Sequence, residues 1–367
     1  MVPRWMGCFF LLSFSLVSGL AQQNGPVGRS GPPASVPPGS AKRQITLDVV
    51  VTDKSGKPFP GLQRRNFTLL DNKQPQEITS FHAVEGGIAT ADPPVEVILI
   101  VDEVNAAFNT VSFERREIAK FLKRNGGQLA RPVSFVFFSD TGTTIGKTSS
   151  RDGNGLVAEL NEKRSGLRPI GRSAAFYGAA ERLQLSLEAL GRLAAYEATR
   201  PGRKLVVWIS PGWPLLSGPG SGWPGAKYQQ GVFDSIVGLS DGLRRARMTL
   251  YLVDPLGLAD SGELRTSAYL EFLTPVKTLR QAQAGNLALQ VIANQSGGLV
   301  LNLSNGVERE IEMCAAEANA FYVLTFDGLA GDGPNEYHAL EIKIDQPGLT
   351  ARTRSGYYAQ PEQAPAR

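Results

Sequence analysis

The strongest constraint on the fold is a repeated alternation of short apolar segments with amphipathic segments between residues 95 and 320. The apolar segments lie at 95–101, 133–138, 205–209, 248–253 and 299–303. Strands that lack polar alternation are covered on both faces, as in parallel sheets. Helical spacing is found at 112–129, 177–194, 230–245, 286–294 and 307–318. We therefore predict an α/β fold, a doubly wound and mostly parallel sheet with helices on both faces.

Strand patterns also occur at both ends of the chain, outside this alternation. They lie at 45–52, 67–70 and 77–84, and again at 321–326, 338–344 and 350–358. Each group has too few strands to form a stable sheet alone. We expect 44–90 and 321–360 to combine into one split β-sandwich, with the α/β domain of 95–320 inserted between them.

The first 21 residues have the pattern of a signal peptide. Arg4 precedes an apolar run of about a dozen residues, and small residues end at Ala21. We expect cleavage there, a Pro/Gly-rich linker over 22–43 and a short tail over 361–367. The mature protein should be periplasmic or secreted, with no transmembrane anchor. Its remaining cysteine, Cys314, is expected to be a small buried apolar residue.

Composition and motif context disfavour several function classes. A net charge of +4 with no concentrated basic stripe disfavours nucleic-acid binding. The segment 142–148 is one residue short of a phosphate-binding loop, and we interpret it as a short β-strand or a hairpin. The Gly-x-Ser-x-Gly match at 238–242 lies in a predicted helix rather than on a strand-to-helix turn. His82 and His338 are the only histidines and lie in the terminal strand groups, so a Ser-His-Asp triad within the α/β domain is not available. We expect surface or packing roles for them; the alternative is that they meet across the sandwich as a paired ligand or switch.

Ligands on doubly wound sheets bind beyond the carboxyl ends of the strands, which places any site after residues 101, 138, 209 and 253. Several segments there and in the terminal strands form an ordered set. They are VTDKSGKPFPGL (51–62), NFTLLDNKQPQEI (66–78), ILIVD (98–102), GRSAAFYGA (171–179), LVDPLGL (252–258), YHALEI (337–342) and RTRSGYY (352–358). In order and coverage, nearly the whole mature chain resembles the von Willebrand factor type A (VWA) family, in its exported bacterial VWFA-related branch.

The resemblance implies a metal-ion-dependent adhesion site that has lost most of its ligands. The family pattern is Asp-x-Ser-x-Ser, a later Thr and a final Asp, which together hold Mg²⁺ or a similar cation. Asp102 matches the first position and Ser173 can replace the threonine. Val104, Ala106 and Pro211 stand at the other three positions. We expect a degenerate site without a tightly bound cofactor.

A retained site is the alternative to a degenerate one. It would hold Mg²⁺ or Ca²⁺ through Asp102, Asn105 and Ser173, with Ser139 or Asp140 nearby. Asp254, which precedes a proline, is expected to shape its loop rather than bind a ligand.

The resemblance and the missing catalytic constellations together predict a non-enzymatic, adhesion-type module that binds a protein partner. Candidate partner-binding residues are Asp102 and the two tryptophans of the Gly/Pro-rich loop 211–225, Trp213 and Trp223. The indoles could instead fold back over the degenerate site. A structural envelope component and a divalent-metal-dependent hydrolase built on Asp102, Glu103 and Asp140 are the alternatives.

Overall fold

The structure is a computed structural model that describes residues 43–85, 95–146, 148–163, 175–216, 225–257, 268–302 and 306–361. The strands within these ranges are β1 (Arg43–Thr52), β2 (Phe67–Asp71), β3 (Gln74–Gln76), β4 (Ile78–Glu85), β5 (Glu96–Asp102), β6 (Gln128–Ser139), β7 (Gly142–Ile145), β8 (Ser150–Asp152), β9 (Lys204–Ile209), β10 (Met248–Val253), β11 (Val300–Leu301), β12 (Ala320–Gly328), β13 (Glu336–Ile344), β14 (Thr350–Arg352) and β15 (Gly356–Ala359). The α-helices are α1 (Phe108–Leu122), α2 (Gly153–Glu162), α3 (Ala175–Glu197), α4 (Ala226–Arg245), α5 (Leu289–Gln295) and α6 (Val307–Ala316).

The central sheet has the predicted mostly parallel character. Its strand order is β11-β10-β9-β5-β6-β7, with β8 also paired to β6. Only β7 and β8 run antiparallel to their neighbour, and β7 agrees with the short strand predicted within 142–148. Every residue of β5, β9 and β10 is buried, because one apolar cluster joins the sheet to α1, α2 and α6 and another joins it to α3, α4 and α5.

Strands from the two ends of the chain form two antiparallel sheets. The first has the order β14-β1-β12-β4 and the second has the order β15-β13-β2-β3. One apolar cluster receives side chains from both sheets, among them Leu47, Leu324, Leu69 and Leu340. Residues 42–367 form one compact unit, so this sandwich packs directly on the α/β part.

The structure differs from the predicted elements most clearly at three places. The helix predicted over 112–129 spans Phe108–Leu122. It ends there because Asn125, Gly126 and Gly127 adopt positive φ angles and turn the chain into β6. The strand predicted over 350–358 is two strands in different sheets, β14 and β15, joined by a crossing segment at 353–355. The helix predicted over 286–294 is a 3-10 turn at Ala284–Leu287 followed by α5.

Two smaller predictions concern α4 and α6. The Gly-x-Ser-x-Gly match lies inside α4, as predicted, and Cys314 is fully buried on α6. No helix in the described ranges has the length and hydropathy needed to cross a bilayer.

A buried ionic contact joins the α/β part to the sandwich. Glu317, just beyond α6, is 3% exposed and pairs with the guanidinium of Arg352 on β14. It also accepts a hydrogen bond from the Tyr251 hydroxyl, while Arg203 donates to its backbone carbonyl at 3.1 Å. Burial, and then the Glu317 charge, raise the pKa of Tyr251 well above its ordinary value. The carboxylate is therefore stabilised by groups from both parts of the molecule.

We predict that Arg352→Met lowers the free energy of unfolding by about 3–5 kcal/mol, because the substitution leaves the Glu317 carboxylate buried without its counter-ion. Tyr251→Phe should cost about 1 kcal/mol, since it removes one hydrogen bond. Urea denaturation of the full chain measures both changes. Lys343→Met, at a lysine 60% exposed and 3.8 Å from Glu341, is the control and should cost less than about 1 kcal/mol. Equal losses for Arg352→Met and Lys343→Met would contradict the assignment.

Candidate functional site at the carboxyl end of the central sheet

Asp102 is the last residue of β5, at the carboxyl-end edge of the parallel sheet where ligands of such folds bind. Its side chain is fully buried. Because side chains alternate along a strand, Asp102 lies on the face of Ile98 and Ile100, toward α3, α4 and α5. The neighbouring strand β9 contributes Trp208 to the same face.

Four N–H groups donate to the two carboxylate oxygens of Asp102. Oδ1 accepts from the backbone N–H of Val104 at 2.9 Å and of Asn105 at 2.8 Å. Oδ2 accepts from Asn105 Nδ2 at 2.9 Å and from Trp208 Nε1 at 2.8 Å. Burial raises the pKa of Asp102, while hydrogen bonds from Asn105, Trp208 and Ser210 act in the opposite direction. The buried carboxylate is thus solvated by protein donors.

This arrangement does not fit a divalent cation. A hard cation binds the lone pairs of oxygen atoms, and here N–H donors occupy those of Asp102. Val104 and Ala106 place buried apolar side chains at the two serine positions. Asn105 turns its amide nitrogen toward Asp102, and its Oδ1 is buried without a partner. The described residues contain no group of three or more His, Cys, Asp or Glu side chains that could hold a metal ion.

The other ligands considered for the retained site do not complete it. Ser173 lies outside the described residues. The Ser139 hydroxyl is 2.9 Å from the Thr141 hydroxyl, and Asp140 is half-buried on the following turn. Asn105 Nδ2 also donates to Ser186 Oγ at 2.9 Å, and Ser186 donates to the Arg182 carbonyl at 2.7 Å. The hydrogen bonds of Asp102 therefore continue into α3.

The prediction that Trp213 is an exposed anchor is wrong. Trp213 is 3% exposed and packs edge-on against Trp208, with ring centroids 5.0 Å apart. This is the alternative arrangement, in which the indole folds back over the site. Asp102 is also inaccessible in this conformation, so neither residue offers a surface to a partner. Trp223 lies outside the described residues.

The carboxylates considered for a hydrolase have different hydrogen-bond and ion-pair partners. Glu103 faces Arg115, with Oε1 and Nη1 3.4 Å apart, while Asp102 bonds to Trp208. Asp254 accepts a hydrogen bond from the backbone N–H of Leu256 at 3.0 Å, which agrees with its predicted role in shaping a loop. Besides burial, the charges of Asp102, Asp254 and Glu103 raise the pKa of Glu114, yet the described residues contain no group of three such side chains that could hold a metal ion.

The two histidines do not meet across the sandwich. His338 Nδ1 lies 2.8 Å from Asp71 Oδ1, and the Tyr357 hydroxyl donates to Asp71 Oδ2 at 2.7 Å. His82 lies on β4 in the other antiparallel sheet, and its Nε2 is buried without a partner. His338 therefore belongs to a buried polar network of the sandwich core.

Trp208 and Glu114 are important residues that sequence reasoning missed. A tryptophan inside the buried strand 204–209 signals a need for a hydrogen-bond acceptor, here Asp102. Glu114 is fully buried on α1, and neither of its carboxyl oxygens has a partner. Its spacing of three from Val111 and four from Ile118 places it on the apolar face of the helix. Burial, reinforced by the charge of Asp102, raises the pKa of Glu114 well above 4.5.

Comparisons with known proteins give only distant matches. No protein-family model and no curated protein matches the chain. The VWA domain of SpRpn10 is 9% identical with a TM-score of 0.29, and the alignment covers 60% of this chain and 94% of that domain. The PilB minor pilin from Streptococcus sanguinis is 11% identical with a TM-score of 0.34, and 63% of each chain is covered.

A third solved structure is the SpaC pilus adhesin from Lactobacillus rhamnosus GG. It is 9% identical with a TM-score of 0.36, and the alignment covers 81% of this chain. This chain spans about half the length of SpaC, since 49% of the adhesin is covered. All three identities and TM-scores are low.

We predict that isothermal titration with Mg²⁺, Mn²⁺ or Ca²⁺ gives no saturable heat, because a cation would have to displace four N–H donors from Asp102. Asp102→Asn is the matched control and should give the same flat trace. Saturable heat that is present in the unsubstituted chain and absent in Asp102→Asn would show that the cation site is intact.

We predict that Glu114→Gln stabilises the fold at neutral pH by about 1–3 kcal/mol, because it removes a buried carboxyl without partners. The pKa of Glu114 is higher in the folded than in the unfolded chain, so the unfolded chain loses this proton at lower pH. Stability therefore falls as pH rises above about 4.5, and the gain from Glu114→Gln should grow over the same interval. Urea denaturation across pH measures the gain, and a gain independent of pH would contradict the assignment.

Proposed function

We propose that this chain is a non-enzymatic protein-interaction module that binds its partner through the carboxyl-end edge of the central sheet. The observation that carries the proposal is the position of its exposed apolar side chains. Phe108 begins α1 after β5, Leu215 and Tyr228 follow β9, and Leu270 follows β10. Their exposed fractions are 64%, 37%, 45% and 51%, in that order. We call these four residues the apolar rim.

In chain order, all four residues of the apolar rim follow the carboxyl ends of central strands. Among the described residues, the other large apolar side chains with comparable exposure are Met313 on α6 and Leu329 beyond β12. Scattered exposed apolar residues are normal, but a concentration on one edge is typical of interaction surfaces. Burying such side chains against a partner contributes roughly 1.5–3 kcal/mol each. The partner that fits is a protein with an apolar, weakly charged surface.

The rim replaces the binding surface predicted around Asp102 and Trp213. Those two residues form the buried support beneath the edge, where Trp208 holds the Asp102 carboxylate and Trp213 packs against Trp208. A rigid support keeps loops in one conformation and lowers the entropy lost on binding. We infer that the degenerate adhesion site acts as a scaffold.

Three features support a non-enzymatic role. The carboxylate of Asp102 is fully engaged by donors, and Glu103 is paired with Arg115. The chain has two histidines, His82 and His338, and both lie in the antiparallel sheets. A general base at the carboxyl-end edge would therefore have to come from a different residue type. The leader-like sequence of residues 1–21 supports an exported protein, periplasmic or secreted.

We predict that the triple variant Phe108→Ser, Leu215→Ser, Leu270→Ser loses partner binding by at least about tenfold, because it removes three apolar contacts from one edge. The control is the double variant Met313→Ser, Leu329→Ser, whose residues are 46% and 45% exposed in the native chain. The full-length protein is immobilised on a biosensor, and saturable binding is measured first with a cell-envelope extract. The measurement is then repeated with the partner purified from that extract.

Retention of full affinity by the triple variant, or an equal loss in the control, would exclude the apolar rim as the binding surface. Absence of any saturable partner would instead favour a structural envelope component. Far-ultraviolet circular dichroism of both variants verifies that the substitutions leave the fold intact.

A further inference from the structure

Arg354 is a buried arginine with almost no hydrogen-bond partners. It lies on the crossing segment 353–355, where the chain leaves β14 for β15, and it is 8% exposed. Its Nη1 donates to the carbonyl of Ser240 at 3.4 Å, a long hydrogen bond. No carboxylate oxygen of the described residues lies within 4.0 Å of this guanidinium. A guanidinium carries five N–H donors, so most of those of Arg354 have no acceptor among the described residues.

Arg354 lies beside a cleft at the amino-terminal end of the central sheet, the opposite end from the apolar rim. It lines this cleft together with Arg244, Arg247 and Asp48. Thr46 of β1 and Thr249 of β10 add hydroxyl groups to its wall. Cationic and hydroxyl donors on one concave surface are the chemistry that binds an anion.

The charges around the cleft do not balance. Arg247 pairs with Asp48 at 2.6 Å, and Arg244 pairs with Asp241. Arg354 is the third guanidinium; the charges of Asp48 and Asp241 act on it, but each of these carboxylates is paired with another arginine. Among the described residues around the cleft, positive charges therefore outnumber negative ones. Burial, and then the charge of Arg244, lower the pKa of Arg354 to about 10, so it stays protonated at neutral pH. A buried charge of this kind is costly unless it is paired.

The dimensions of the cleft restrict the anion to a small one. The enclosed part of the cleft has room for about one water-sized sphere. This space suits an anion of one or a few atoms rather than a nucleotide or a peptide segment.

We propose that this cleft is a binding site for a monatomic anion of the chloride class, held by the guanidinium of Arg354 and the hydroxyls of Thr46 and Thr249. The anion supplies the missing negative charge between β1, β10 and the crossing segment. Its binding stabilises the attachment of the last two strands to the α/β part. The site is independent of the interaction surface proposed above, because it lies at the other end of the sheet.

The test is thermal unfolding of the full chain in sodium chloride or sodium gluconate at equal ionic strength. Gluconate is too large for the cleft, so chloride should raise the melting temperature by about 2–4 °C more than gluconate does. Arg354→Met should abolish this difference. Arg192→Met, the same substitution at a helix arginine 64% exposed, should preserve it.

Crystals grown in sodium bromide provide a second measurement that needs no substitution. Anomalous scattering should place bromide within hydrogen-bond distance of the Arg354 guanidinium. Equal stabilisation by chloride and gluconate, an unchanged chloride effect in Arg354→Met, or bromide absent from the cleft would each overturn the proposal.

Discussion

The antiparallel pairing of β1 with β12 is the constraint on which the rest of the molecule depends. Arg43 lies opposite Gly328 and Val49 opposite Tyr322, so the two ends of the chain share one sheet. The α/β part closes as an insertion between them, and the entropic cost of such closure grows only slowly with length. Glu317, three residues before β12, is buried where the insertion returns to the sandwich. One short region therefore ends the α/β part and fixes its position on the sandwich.

At the carboxyl-end edge, the buried charge of Asp102 is compensated by the protein itself. A carboxylate buried at a strand end must have its charge compensated, and a cation or a set of N–H donors can do this. Here Val104, Asn105 and Trp208 supply the N–H donors. The indole of Trp208 is then covered by Trp213, which removes both tryptophans from the surface. Recognition by this edge would depend on the residues around the buried group.

The two ends of the central sheet differ in chemistry. The carboxyl end exposes apolar side chains over a satisfied carboxylate, whereas the amino end encloses arginines in a cleft beside β1. The first is suited to an apolar protein surface and the second to a small anion. The sandwich contributes to this difference, because β1 packs beside the amino-terminal end of β10 and its Asp48 pairs with Arg247 there.

The sequence determined the mixed α/β class, the parallel sheet and the position of Asp102 at a strand end. It could do so because apolar periodicity, and the alternation of strand with helix patterns along the chain, are local features of the sequence. The resemblance to the VWA pattern also predicted that three of its five ligand positions carry unsuitable side chains. Only the tertiary structure showed which groups satisfy the buried carboxylate of Asp102, since Trp208 lies 106 residues from Asp102 and approaches it through the pairing of β5 with β9. The burial of Trp213, the unpartnered Glu114 and the cleft at Arg354 likewise depend on packing between distant segments, which periodicity does not encode.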